Sequence, residues 1–336
     1  MRRQSTSTLV AVGHPPESTC VDLCDPAFRA RAVTTKLARA GCHSVGRTRW
    51  LIVGAAGRVG RVLIAALEGQ PVRTWTRHDA DLTDRDRVLA TLAAIRDEST
   101  DPLICINTAA VADVDGAEKD SRTAVSVNGQ APGWLAEGLS DADLMVHLST
   151  DYVFGGNSGP TAPYDEDAPT APLSVYGTTK RDGENAVLSA RPDSYVVRTS
   201  WVFDADKPNY VTFFRDRLLA GDPIEAVTDQ VSRPTATTDL VAGLLALCSR
   251  RPDSGIYHCA NGGQASRYDV ASAIGAELGA DPCLVRAIRT DQAPRRPAIR
   301  PAYSVLGLRR WQEAGLPELR SWRIPLREVI LRPSLG

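Results

Sequence analysis

The sequence has no apolar run near the ~18 residues that a membrane-spanning helix needs, so no membrane partner is expected. It also has almost no net charge. Lys and Arg total 39 against 40 Asp and Glu, leaving -1, which speaks against a strongly basic nucleic-acid binder. Glycine (26) and proline (22) are not enriched, which excludes collagen-like and wholly disordered classes. No C-x-x-C pair occurs. The seven cysteines, Cys20, Cys24, Cys42, Cys105, Cys248, Cys259 and Cys283, are odd in number and scattered, a pattern that fits neither a disulfide framework nor a metal site. Cys105 and Cys248 lie inside apolar runs, where a reduced thiol serves as a small core residue. A reducing, cytoplasmic protein without a metal is the expectation. Lysine is nearly absent: Lys36, Lys119, Lys180 and Lys207 are the whole complement. Genome composition accounts for that bias better than function does, yet it makes each lysine worth inspecting.

At 336 residues, 43% of them hydrophobic, the chain can form one large domain or two ordinary ones. Residues 1–48 show no sustained helical or strand period. Met1 to Thr8 is basic and hydroxyl-rich, but only the short patch Leu9–Val12 follows, too little for a secretory signal. Glu17, Asp22 and Asp25 weaken an organelle transit peptide. This segment is expected to be a disordered, dispensable extension. From Arg49 onward, short apolar strands (Trp50–Val53, Val72–Thr76, Leu103–Asn107, Leu144–Ser149, Tyr195–Ser200) alternate with helical stretches (Val59–Leu67, Val88–Ile95, Trp134–Leu139). That rhythm predicts an α/β, Rossmann-type doubly wound parallel sheet over residues 49–203, covered on both faces. Beyond about residue 203 the rhythm weakens and Pro/Arg-rich loops appear at Pro294–Pro301. Residues 204–330 are therefore read mainly as a smaller C-terminal substrate-binding lobe, with some segments returning to the first domain.

Gly54-Ala55-Ala56-Gly57-Arg58-Val59-Gly60 follows the first strand and opens the first helix. Glycines there permit the tight turn and let backbone N–H groups approach a pyrophosphate, to which the helix N-terminus offers partial positive charge. Placed at the start of a βα alternation, the triplet predicts a dinucleotide site. The end of the second strand bears on which dinucleotide. NAD-preferring sites place an acid there for the ribose 2′-hydroxyl. Here Thr76-Arg77 stands instead, and Arg77 is suited to a 2′-phosphate. NADPH is favoured, with NADH as the alternative, because Asp79 and Asp81 follow closely and Arg77 also reads as an ordinary exposed arginine. Asp81 with Leu82 is expected to border the adenine.

Tyr176 and Lys180 stand four residues apart, the one tyrosine of eight with a lysine at that spacing. Chance gives about 0.1 such pairs. On a helix, that spacing puts both side chains on one face. An adjacent ammonium favours the phenolate, so the pair is expected to move a proton to or from a carbonyl oxygen near neutral pH. Leu148-Ser149-Thr150-Asp151-Tyr152 places polar residues at the carboxyl end of an apolar strand, where doubly wound sheets bind ligands. Thr150 is the better hydroxyl to hold a substrate carbonyl, unless it is a buried strand end. Asp151 either contacts substrate hydroxyls or caps the following turn.

Together these residues resemble the extended short-chain dehydrogenase/reductase superfamily and, within it, the dTDP-4-dehydrorhamnose reductase family. The glycine loop, Asn107-Thr108-Ala109-Ala110, Ser149-Thr150-Asp151-Tyr152-Val153-Phe154 and Pro172-Leu173 before Val175-Tyr176-Gly177 carry the likeness. So do Arg198-Thr199-Ser200-Trp201-Val202, Asp229-Gln230 with Pro234-Thr235, and Arg300-Pro301. The resemblance spans roughly residues 49–330 and leaves the first 48 without a counterpart. It implies NAD(P)H-dependent reduction of the 4-keto group of a dTDP-4-keto-6-deoxyhexose in deoxysugar nucleotide biosynthesis. Thr150, Tyr176 and Lys180 would form the catalytic group. Ala109, Ala110 and Val111 would lie beside the cofactor, with Asp151 and Trp201 at the sugar. A homodimer is left open. Some members bind a divalent ion through a glutamate two residues after the last loop glycine, a position held here by Val62. Related dehydratases resemble a Thr-Asp-Glu pattern, where this chain reads Thr150-Asp151-Tyr152. An epimerase, or a regulatory subunit of the kind that tunes a methionine adenosyltransferase, are the remaining alternatives; the latter needs no Tyr176/Lys180 pair. Arg286, Arg289, Arg295, Arg296 and Arg300 could serve a substrate diphosphate or form a solvated basic face. Arg300, in the family's Arg-Pro step, is the best single candidate.

Overall fold

Six short strands pair side by side, all parallel: β1 Arg49–Val53, β2 Val72–Trp75, β3 Leu103–Asn107, β4 Leu144–Thr150, β5 Tyr195–Thr199 and β6 Gly255–His258. Their order is β6-β5-β4-β3-β1-β2. The computed structural model describes residues 48–156 and 162–332, so the expectation for the N-terminal extension lies, Thr48 apart, outside the described residues. No helix among the described residues is long and apolar enough to cross a membrane.

Continuous apolar strands arise because both faces of the sheet are covered. Trp50, Ile52, Ile106, Val146 and Val197 point to one face and pack with helices α1 (Arg58–Ala66) and α6 (Thr237–Arg250). Leu51, Val53, Cys105, Met145 and Val196 point to the other, under α2 (Arg85–Asp97), α3 (Ala131–Glu137) and α4 (Val175–Ala190). Cys105 and Cys248 are buried free thiols, one in each of these cores. A separate core holds Phe203, Val211, Phe214, Ile224, Val270, Val285 and Trp322. It is built by α5 (Tyr210–Leu219), α7 (Arg267–Leu278), α8 (Arg323–Ile330) and the parallel pair Ile224–Val227 and Val285–Ile288. Strands of two to four residues in this lobe give no sequence rhythm, whereas α6 and β6 rejoin the sheet.

The stretch before α3 is a π-helical segment, Val125–Gln130, not regular helix. Wide turns of this kind recur at functional sites. Here Asn128 leaves the helical pattern to hold both the N–H and the C=O of Val111.

A buried ion pair fixes α4 against β5. Arg198 Nε and Nη2 donate to Glu184 Oε1 and Oε2 at 2.8 and 2.7 Å, and Arg198 Nη1 donates to the Glu166 carbonyl. Both side chains are at most 3% exposed. Removing one partner strands the other charge in a dry interior. Glu184→Ala is therefore expected to destabilise the fold by about 3–5 kcal/mol, read from denaturant unfolding. A loss under about 1 kcal/mol, the ceiling of an exposed pair, would remove this pair from the determinants of the fold.

Candidate active site

β1 sends the chain to β2 on one side, while β3 lies on its other side, so a crevice opens at the carboxyl ends of β1 and β3. Gly54 sits there at φ +82°, and a Cβ on it would stand 2.6 Å from Ala109 N. The glycine thus allows two loops to touch backbone to backbone. Gly57 precedes α1 with extended backbone. No side chain caps this helix and its first turn contains no acid, so its leading N–H groups remain available to an anion. Val59 and Gly60 are buried where α1 meets the sheet. The loop fits a dinucleotide pyrophosphate on these grounds.

Ala56 and Arg58 are joined to the start of the second lobe. Arg58 pairs with Asp204 at 2.6 Å and donates to the Pro208 carbonyl, while Lys207 Nζ donates to Ala56 O at 2.7 Å. The rarity of lysine was the one sequence signal for Lys207. After β2, Asp79 Oδ2 accepts from Thr76 N and Oγ1 at 2.7 and 2.9 Å, so that carboxylate is spent on the turn. Its hydrogen bonds to Thr76 hold it below the usual range. Arg77 is exposed beyond it. Asp81 Oδ1 accepts from Thr83 N, and Leu82 packs against the core under α2. Ala109 N is held by Asn107 Oδ1 and Val111 N by Asn128 Oδ1, which orders Ala109, Ala110 and Val111 along the crevice.

Tyr176 and Lys180 lie in the first turns of α4, which Ser174 caps by accepting from Gly177 N at 3.1 Å. Gly177 lets this helix press on the turn after β4: a Cβ there would lie 2.2 Å from Tyr152 O. The Tyr176 hydroxyl meets Thr150, and its ring makes an edge contact with Tyr152 at 5.9 Å. Burial pushes the Tyr176 phenol up to about 12. The lowering by Lys180 expected from the sequence does not prevail over burial, and the lysine amine is engaged elsewhere. Its Nζ donates to Leu148 O at 2.6 Å and lies 3.3 Å from His147 Nε2, and burial brings it down to about 8.

Thr150, not Asp151, caps the next turn, accepting from Tyr152 N at 3.2 Å. Asp151 is buried and accepts from Ser232 Oγ (2.8 Å), Ser304 Oγ (2.5 Å) and Thr150 Oγ1 (3.2 Å). Burial outweighs these bonds and raises its carboxyl to about 6. Trp201 has φ +44°, unusual for a bulky residue and a pointer to a functional constraint. Its indole lies beside Tyr210 and under the Arg267 guanidinium, 3.5 Å from the ring centroid. Arg300, expected at a phosphate, is held bidentately by Asp115 at 2.6 and 2.7 Å, and it also reaches the Tyr152 hydroxyl. Asp115 is drawn down to about 2, foremost by that Arg300 hydrogen bond. Arg296 pairs with Asp115 as well, and Arg289 with Asp229. Sequence reading passed over Asn128, His147, Ser232, Arg267 and Ser304. What converges is a protonated phenol and a hydroxyl at a strand end near the Gly54–Gly60 loop, a pairing suited to protonating an oxygen.

The chain matches the model of the RmlD substrate binding domain over residues 48–334. It is 46% identical, over 84% of its length and 94% of the relative's, to a probable dTDP-4,6-dihydroxy-2-methyloxan-3-one 4-ketoreductase of Streptomyces antibioticus. It is 45% identical, over 84% of its length and 85% of the relative's, to a dTDP-4-dehydrorhamnose reductase of Mycolicibacterium smegmatis. Its fold superposes with a TM-score of 0.77 on a crystal structure of dTDP-4-dehydrorhamnose reductase from Bacillus anthracis in complex with NADP. That pair is 28% identical, covering 85% of this chain and 99% of the other.

Asp151 gives this site a signature in stability. Its folded carboxyl lies above the ordinary 3.8, so folding opposes its ionisation. The stability it contributes is complete below about 3.8 and is lost as pH rises through about 6. Asp151→Asn removes that loss. The melting temperature of the variant, relative to the parent, is expected to be more favourable at pH 7 than at pH 4. A difference that stays flat across this range would show that Asp151 ionises freely.

Proposed function

The chain belongs to the RmlD substrate binding domain family, and on that premise we propose that it is an NADPH-dependent reductase of the 4-keto group of a dTDP-4-keto-6-deoxyhexose, acting in deoxysugar nucleotide biosynthesis. The observation that carries this reading is the meeting of the Tyr176 phenol with Thr150 beside a glycine loop able to take a pyrophosphate. Gly54, Ala56, Gly57, Arg58, Val59 and Gly60 would hold the dinucleotide at its diphosphate, and Ala109, Ala110 and Val111 would border it. Arg77 would bind the 2′-phosphate, with Asp81 and Leu82 near the adenine. When bound, the dihydronicotinamide supplies a hydride to C4 of the sugar. Thr150 hydrogen-bonds the C4 oxygen, and Tyr176 delivers its proton there. A phenol pushed up by burial keeps that proton at neutral pH, the form a general acid needs. Lys180 would hold the nicotinamide ribose. Asp151 and Trp201 would contact the sugar, and Arg300 would close the pocket through Tyr152. In this reading residues 49–203 bind the dinucleotide, and 204–330 mainly the nucleotide-sugar. A cytoplasmic location, for which the free thiols Cys105, Cys248 and Cys259 speak, and a homodimer belong to the same proposal.

Tyr176→Phe deletes the proton donor while keeping the ring. With dTDP-4-keto sugars generated in situ, NADPH oxidation is expected to fall about 10²–10⁴-fold, while NADPH still binds. Turnover close to the parent's would sink the assignment.

Arg77→Ala bears on the cofactor. Losing a charge-assisted hydrogen bond to phosphate is worth roughly ten- to a hundredfold in affinity. NADPH binding is expected to weaken by that factor and NADH binding hardly at all. Equal weakening of both would show that Arg77 does not discriminate.

A further inference from the structure

Beneath the proposed catalytic lysine lies a buried polar chain that crosses two central strands of the sheet: Asn107 of β3, His147 of β4 and Lys180 of α4. His147 and Asn107 are at most 1% exposed and Lys180 is 2% exposed. Asn107 Oδ1 accepts from Ala109 N at 3.0 Å, which orients its amide and leaves Nδ2 facing His147 Nδ1 at 3.1 Å. A carboxamide nitrogen only donates, so Nδ1 is an acceptor and the proton of the neutral ring sits on Nε2. That N–H points at Lys180 Nζ, 3.3 Å away, while the amine donates on its other side to Leu148 O at 2.6 Å.

We propose that His147 is a positioning residue for Lys180: locked by Asn107 with its Nε2–H outward, it meets the lysine amine donor to donor, disfavours the ammonium, and holds the amine on the Leu148 carbonyl. An uncharged amine satisfies every group here, accepting from Nε2–H and donating to Leu148 O; an ammonium leaves two donors opposed. Burial lowers both groups' affinity for protons, His147 well below its ordinary range and Lys180 to about 8. The other charge acting on Lys180 is Glu184, one turn along α4, which favours the ammonium but is itself bound by Arg198 of β5. Tyr176, one turn earlier, turns its hydroxyl to Thr150, and β3 presents the uncharged Asn107. Because Asn107 also holds the Ala109 amide, one chain of bonds joins the loop proposed to border the cofactor to the lysine proposed to hold its ribose. The meaning for catalysis rests on the reductase reading; the bond pattern does not.

The scarcity of lysine makes the test direct. The full chain labelled at lysine Cε gives four side-chain signals at most, and Lys180→Arg identifies one of them. Its titration is followed by NMR in the parent, in His147→Gln and in Asn107→Asp. The glutamine amide can turn its oxygen toward the amine. The aspartate keeps the Ala109 bond but accepts from Nδ1, which moves the ring proton there and makes Nε2 an acceptor. Each folded variant is expected to raise the Lys180 midpoint by about one pH unit, and the pH profile of kcat should move with it where the variant turns over. A Lys180 midpoint unmoved in both would overturn the proposal and leave His147 as core filling. Should the parent reduce no dTDP-4-keto sugar, the functional reading fails while the titration still decides the role of His147.

Discussion

The site depends on how closely α4 can lie against the turn that follows β4. The Tyr152 carbonyl stands 2.2 Å from where a Cβ of residue 177 would be, so any side chain at that position would push the helix off the strand end. With glycine there, Tyr176 reaches Thr150 and Lys180 reaches the interior of β4. The Arg198–Glu184 pair holds the same helix from below, against β5. Contact above and an ion pair below leave α4 little freedom to slide, and a proton donor placed to within a fraction of an ångström needs that constraint.

The approach also dries the site, and dryness decides protonation. Burial acts in the same sense on every titratable group at the centre. It pushes the Tyr176 phenol and the Asp151 carboxyl up and brings Lys180 and His147 down, each toward its neutral form. A phenol that keeps its proton is matched to delivering it onto an oxygen gaining charge. The net effect on Tyr176 here is upward, from burial, while the Lys180 amine is bonded to the Leu148 carbonyl. Spacing on a helix put the two residues on one face, but which way the amine turns depends on Leu148 and His147.

How much of this could be read from residues alone follows sequence distance. Most of the sheet was legible because its central strands are local apolar runs covered on both faces, whereas the edge strand Gly255–His258 was not read from the sequence. Gly54–Gly60 and Tyr176–Lys180 were legible because loop and pair each occupy one short stretch. Ser304 was not, since it stands 153 residues from the Asp151 it binds, and Ser232 stands 81 away. Asn128 lies in a π-helical segment whose shape no helical period announces. Arg300 was seen as a free cation because its partner Asp115 lies 185 residues earlier. Long-range pairing of polar groups leaves no periodic trace, so charge clusters in a sequence overstate how many charges remain available.

Arg58 and Lys207 reach across between the phosphate loop and residues 204–208, in opposite directions: one from the loop to Asp204 and Pro208, the other from residue 207 back to Ala56. The reciprocal link makes residues 204–208 part of both halves at once. Exchanging the chain beyond residue 203 for that of a relative would sever both ties. An exchange beginning after Pro208 would keep these ties but still remove Thr237–Arg250 and Gly255–His258, which cover and complete the first sheet, so the first half of this chain is not one continuous stretch of sequence.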